Sequence, residues 1–178
     1  NKVWSMISVR NGSKLIINSK SGSVVARKND AYAIDVRDGS TLEINGGEYV
    51  GNISSVYVLE GTANINGGSY SIQQLSEPAN GGDERFTLNC EDAAYKAGNA
   101  VINVTGGSFV NFDPSNNLAE GAGTDFLADG YKTLSEKDNS KTVYTVVELN
   151  PIEKAVAEGA NTVVLSEDLV LDETIAVA

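Results

Sequence analysis

The side-chain pattern of this chain predicts an all-β fold, a right-handed parallel β-helix, with a small closing motif and the start of a second β-helix. Two observations carry that expectation. The stretch Ile34-Asp35-Val36-Arg37-Asp38-Gly39-Ser40-Thr41-Leu42-Glu43-Ile44-Asn45-Gly46-Gly47-Glu48-Tyr49 alternates apolar and polar residues around turn signals, the period-2 signature of half-buried strands. The same design then recurs. Ile7, Val9, Asn11-Gly12, Leu15, Ile17 and Asn18 fill its slots upstream; Val56, Val58, Glu60-Gly61, Ala63, Ile65 and Asn66-Gly67-Gly68-Ser69-Tyr70 fill them downstream. A fourth copy holds Phe86, Leu88, Ile102, Val104 and Thr105-Gly106-Gly107-Ser108-Phe109. With Val9, Val36, Val58 and Leu88 taken as equivalent, the copies lie 27, 22 and 30 residues apart. Three short strands per repeat of this length, without a helix or a Leu-rich consensus, point to a stacked solenoid.

Each repeat assigns its residues a place. Asp38-Gly39 turns the chain, because Gly accepts positive φ and Asp bonds the local backbone. Leu15, Leu42, Ala63 and Ile102 are expected in one inward ladder; Ile17, Ile44, Ile65 and Val104 in another. Asn18, Asn45 and Asn66 are expected to stack at a corner, with Thr105 interrupting that ladder. Tyr49, Tyr70 and Phe109 share one slot and read as structural. Residues 1–110 form the stacked part. Residues 111–149 form a closing loop and hairpin, with a turn of helix near 125–128 and strands near 131–135 and 142–148. Phe112, Phe126 and Tyr131 would close the open apolar end. Residues 150–178 restart. Asn150 caps a short helix with Pro151 first and Glu153 three residues after the cap, Gly159 stops it, and three strands follow over 162–165, 168–171 and 174–177. The chain reads as a piece of a longer protein.

The net charge of −11 disfavours nucleic acid and anionic lipid, which recruit cationic surfaces. No apolar run approaches the roughly 20 residues of a membrane span. A nucleophilic role for the single cysteine, Cys90, would call for a His partner; the chain has no His, and Cys90 reads as a buried thiol.

The insertions at 76–85 and 91–99 are where a repeat protein would contact a partner. Glu77, Asp83, Glu84, Glu91, Asp92 and Tyr95 are therefore the candidate partner-binding residues. Carboxylates in these loops could hold Ca²⁺, but no EF-hand spacing is present and a solvated acidic loop is the expected reading. No catalytic, cofactor or metal residue is assigned. Asp35 is the one carboxylate among the outward slots Ser8, Asp35, Tyr57 and Thr87, and beside Arg10 and Arg37 it reads as a surface ion pair worth about 0–1 kcal/mol.

The pieces Leu42-Glu43-Ile44-Asn45-Gly46-Gly47-Glu48-Tyr49 and Gly106-Gly107-Ser108-Phe109 resemble the repeats of pectate-lyase-like β-helix proteins of gut bacteria and their phages. Phe112-Asp113-Pro114-Ser115, Ala128-Asp129-Gly130-Tyr131 and Tyr144-Thr145-Val146-Val147 are similar to their closing segment. The resemblance implies a non-enzymatic structural or binding segment of a virion fibre or spike, a homotrimer or a partner of other virion proteins, carrying a surface-glycan site. It equally fits a bacterial cell-surface adhesin, and its enzyme-class alternative is a polysaccharide lyase or hydrolase.

Overall fold

A computed structural model describes residues 4–74, 85–160, 162–166, 168–171 and 174–175. Eleven strands and two short helices are found among them: β1 (Ser5–Val9), β2 (Lys14–Ile17), β3 (Ser23–Val25), β4 (Tyr32–Val36), β5 (Ser40–Gly51), β6 (Ser54–Val58), β7 (Gly61–Ile72), β8 (Leu88–Cys90), α1 (Asp92–Lys96), β9 (Ala100–Val110), β10 (Tyr131–Asp138), β11 (Lys141–Glu148) and α2 (Pro151–Ala157). Two sheets result. One has four strands in the order β1-β4-β6-β8; the other has seven, in the order β10-β11-β9-β7-β5-β2, with β3 beside the second half of β5.

This architecture corrects the expected fold class. The chain is mostly β, 50 % strand and 8 % helix, but it is not a parallel β-helix followed by the start of a second. The larger sheet is mixed: β10 pairs antiparallel with β11, and β11 antiparallel with β9. After Ala160 no strand occurs among the described residues. The physical reason is that alternation specifies which face a side chain takes, not the direction of its neighbour. Asn139, at φ 56°, turns β10 back as β11, and a tight turn of this kind joins antiparallel strands.

Within the sheets the register follows the side chains. Leu15, Leu42, Ala63 and Ile102 pair in line, as do Ile17, Ile44, Ile65 and Val104. Leu42, Ile44, Ala63, Ile65 and Val104 are fully buried. In the four-stranded sheet the aligned rows are Ile7–Ile34–Val56–Leu88 and Val9–Val36–Val58–Cys90. Cys90, not Leu88, therefore continues the row of Val9. A shift of two residues keeps every side chain on its own face, so alternation alone could not exclude it.

The Asn-Gly-Gly corners are bulges within long strands, with register shifts after Ile44 and Ile65. A Cβ at Gly46 would lie 2.5 Å from the Ser19 carbonyl oxygen, and one at Gly106 2.5 Å from that of Asn66. The second glycine of each pair has φ near 101–107°, a region closed to most L residues. Tyr49 and Tyr70 tie these corners down: their hydroxyls donate to the carbonyls of Gly46 (2.9 Å) and Gly67 (2.7 Å). The Tyr70 ring stacks between Tyr49 and Phe109, at centroid separations of 5.3 and 4.9 Å. Asn45 Nδ2 donates to Asn18 Oδ1, and Asn66 Nδ2 to Asn45 Oδ1. Thr105 extends this ladder, donating its hydroxyl to Asn66 Oδ1 at 2.8 Å; its interruption there was expected and is not found.

The closing segment is anchored by aromatics. Phe112 and Phe126 are buried, and Tyr131 packs on the same cluster. The helix expected near 125–128 is absent. Leu127 instead bridges Val104 in parallel, with Val104 N–H donating to the Phe126 carbonyl and Ala128 N–H to that of Val104; the exposed backbone of β9 competes successfully with a helix too short to be stable alone. Asn150 caps α2 in a reciprocal capping box with Glu153. Glu153 also pairs with Lys132 of β10, fixing α2 to the hairpin.

Candidate binding cleft

The residues singled out from the sequence are not brought together as one site. Glu77, Asp83 and Glu84 lie outside the described residues. Glu91 caps α1, accepting the Ala94 N–H at 2.7 Å. Asp92 is exposed and faces Lys96 one turn on at 3.9 Å. Tyr95 sets its ring edge-on to Phe126, with centroids 6.3 Å apart, and so anchors the insertion rather than projecting from it. The helix α1 itself was not anticipated, although Glu91-Asp92 before Ala93-Ala94 is an N-terminal signal.

The outward row of the four-stranded sheet is Ser8, Asp35, Tyr57 and Asn89. Asp35, expected in a surface ion pair, is instead fully buried. Arg37 donates to its Oδ2 through Nε (2.8 Å) and Nη2 (2.6 Å), and the Ser8 hydroxyl donates to Oδ1. Tyr32 and Tyr57 stack beside it at 4.5 Å. Burial first, then the negative charges of Tyr32 (as phenolate), Glu91, Glu120 and Asp92, push the Tyr57 phenol up to about 12. Burial likewise raises the Cys90 thiol, with the Glu120 charge adding to it. A thiol held protonated is a poor nucleophile, and the position serves packing.

A concave site of another kind occurs where the closing segment meets the strands. A cleft of about 490 Å³ is lined by Ile72, Phe86, Phe112, Leu118 and Tyr144, with Arg85, Asn111, Asp113, Asn116 and Ser140 among its polar residues. That volume falls in the range of small-molecule sites, roughly 300–1,000 Å³. Its wall is braced. Asn117 is buried, donates Nδ2 to the carbonyls of Asp113 and Thr124, and accepts the Ala119 N–H. Asp113 Oδ1 accepts from the Ser115 N–H and hydroxyl. Asn111 Oδ1 accepts the Thr142 N–H at 2.8 Å, joining the loop to β11. Leu118, 49 % exposed, is an apolar side chain left open to solvent beside these polar groups.

Five of the twelve lining residues fall in the irregular run 109–117, where no period signals a pocket. What could have flagged it is the density of Asn, Asp and Ser beside Phe and Tyr. No protein-family profile, curated protein or solved structure matches this chain.

Proposed function

We propose that the chain is a non-enzymatic attachment segment of a virion fibre or spike, and that the cleft takes a surface glycan. The observation that carries this reading is the lining of the cleft. Aromatic and aliphatic side chains offer faces for the C–H side of a pyranose ring. Asn111, Asp113, Asn116 and Arg85 supply planar amide, carboxylate and guanidinium groups, the geometry that meets pairs of neighbouring hydroxyls. A braced wall costs little conformational entropy on binding. The stacked strands supply a stiff body to hold such a site away from a surface. The assignment to a virion rests on the resemblance of the repeats and the closing segment.

The test is a glycan microarray probed with the wild-type chain and with Asn116→Ala, an exposed position whose change leaves the core intact. Binding to a defined glycan group, reduced about tenfold or more by the substitution, corresponding to about 1.4 kcal/mol, is expected, with the bound glycan recovered at unchanged mass. Binding that Asn116→Ala leaves untouched would remove the cleft from the account. Shortened glycan would make the chain an enzyme.

A further inference from the structure

We infer that copies of this chain associate head to tail through the two ends of the seven-stranded sheet, β10 of one copy pairing with β3 of the next. The direction of the strands comes first. β10 is antiparallel to β11, β11 to β9, and β9 is parallel to β7, β7 to β5 and β5 to β3. β10 therefore runs the same way as β3. One edge is the continuation of the other, and a copy translated along the stack extends the sheet in parallel.

The register supplies the second argument. Val24, Tyr49, Tyr70, Phe109, Tyr144 and Ser135 lie in one unbroken row across the sheet. In a translated copy Ser135 falls level with Val24, and three residues on Asp138 falls level with Arg27. Both are exposed. The backbone of β3 is ready for this: Glu48 N–H donates to the Gly22 carbonyl and Ala26 N–H to that of Val50. Alternate residues of a parallel strand bond to opposite sides, so Val25 turns its N–H and C=O outward. A cleft of about 510 Å³ lined by Met6, Ser23, Val25, Arg27, Lys28 and others opens at this edge, and Met6 is 59 % exposed.

Charge then selects the partner. Six of the thirteen basic residues and none of the twenty-four acidic ones fall within 1–29, giving +6; residues 111–160 hold nine acidic and four basic residues, giving −5. Two basic ends would repel, whereas a basic end and the acidic closing segment attract. The contact is heterologous and does not close on itself, so it propagates.

The test is the mass in solution by sedimentation, against concentration, at about 20 mM and about 0.5 M salt, where the Debye length falls several-fold. The chain should exceed its monomer mass of 18.7 kDa at low salt, increasingly with concentration, and less at high salt. Arg27→Glu and Asp138→Arg should each weaken association about tenfold, equivalent to about 1.4 kcal/mol, because each sets two like charges opposite one another, and the double variant should restore it. Lys96→Glu, on α1, should behave as wild type. A monomer throughout at low salt, a trimer of fixed mass, or a double variant no better than the singles would each overturn the inference.

Discussion

Tyr70 tests how the strand layers are held together. Its ring is 1 % exposed and lies between Tyr49 at 5.3 Å and Phe109 at 4.9 Å, while its hydroxyl donates to the Gly67 carbonyl at 2.7 Å. Tyr70→Ala removes both ring contacts and leaves a cavity, at about 3–5 kcal/mol. Tyr70→Phe removes only the hydrogen bond, at about 1 kcal/mol. The lower figure has an internal control, because Phe109 already occupies the same row without a hydroxyl. For a urea slope of about 2 kcal/mol per molar, the alanine variant should lower the unfolding midpoint by roughly 2 M and the phenylalanine variant by roughly 0.5 M. Equal losses for the two would show that the hydroxyl, not the ring, secures the layers. A loss under about 1 kcal/mol for alanine would refute the stacked row altogether.

Other perturbations follow from the same structure. Asp35→Asn takes the charge from a buried carboxylate that Arg37 grips with two nitrogens; since Arg37 remains partly exposed, a loss of about 3 kcal/mol is expected, read by urea unfolding. Gly106→Ala would place a Cβ 2.5 Å from the Asn66 carbonyl oxygen and should cost about 1–3 kcal/mol in the same assay. Burial favours the neutral form of Glu153, but the hydrogen bonds from Lys132 and the Asn150 N–H and the Lys132 charge outweigh it, so its pKa is lowered. Such a group stabilises the fold above its unfolded pKa and loses that contribution as pH falls through the folded value. Protection of the α2 amides, taken relative to the intrinsic exchange rate at each pH, should therefore fall as pH drops below the ordinary carboxyl pKa of about 4.3, and Glu153→Gln should flatten that dependence.

The sequence carried the register of the central layers because their apolar slots are filled without exception: Leu42 over Ala63, Ile44 over Ile65, Tyr49 over Tyr70. It carried the hairpin and the α2 cap because Asn150, Pro151 and Glu153 act locally. It failed where pairing is decided by tertiary competition. The two-residue offset that sets Cys90 beside Val58 preserves every inward side chain. The antiparallel return of β11 onto β9 leaves no mark on alternation. An outward strand position predicts exposure for Asp35, but Tyr32, Tyr57 and Arg37 cover it. The cleft was least legible, since its residues come from 72, 85–87, 111–118, 140 and 144 and meet only once the closing segment folds back.

The central claim, that the cleft at the closing segment receives a saccharide, is tested most directly by amide chemical-shift mapping. The labelled chain would be titrated with a panel of neutral hexose and N-acetylhexosamine di- and trisaccharides, at concentrations that detect a Kd of about 1 mM, or about −4 kcal/mol. The account predicts saturating shifts centred on Phe86, Asn111, Asp113, Asn116 and Tyr144, lost in Asn116→Ala. Saturating shifts centred instead on the Tyr32–Tyr57 face, or none with any member of the panel, would contradict it.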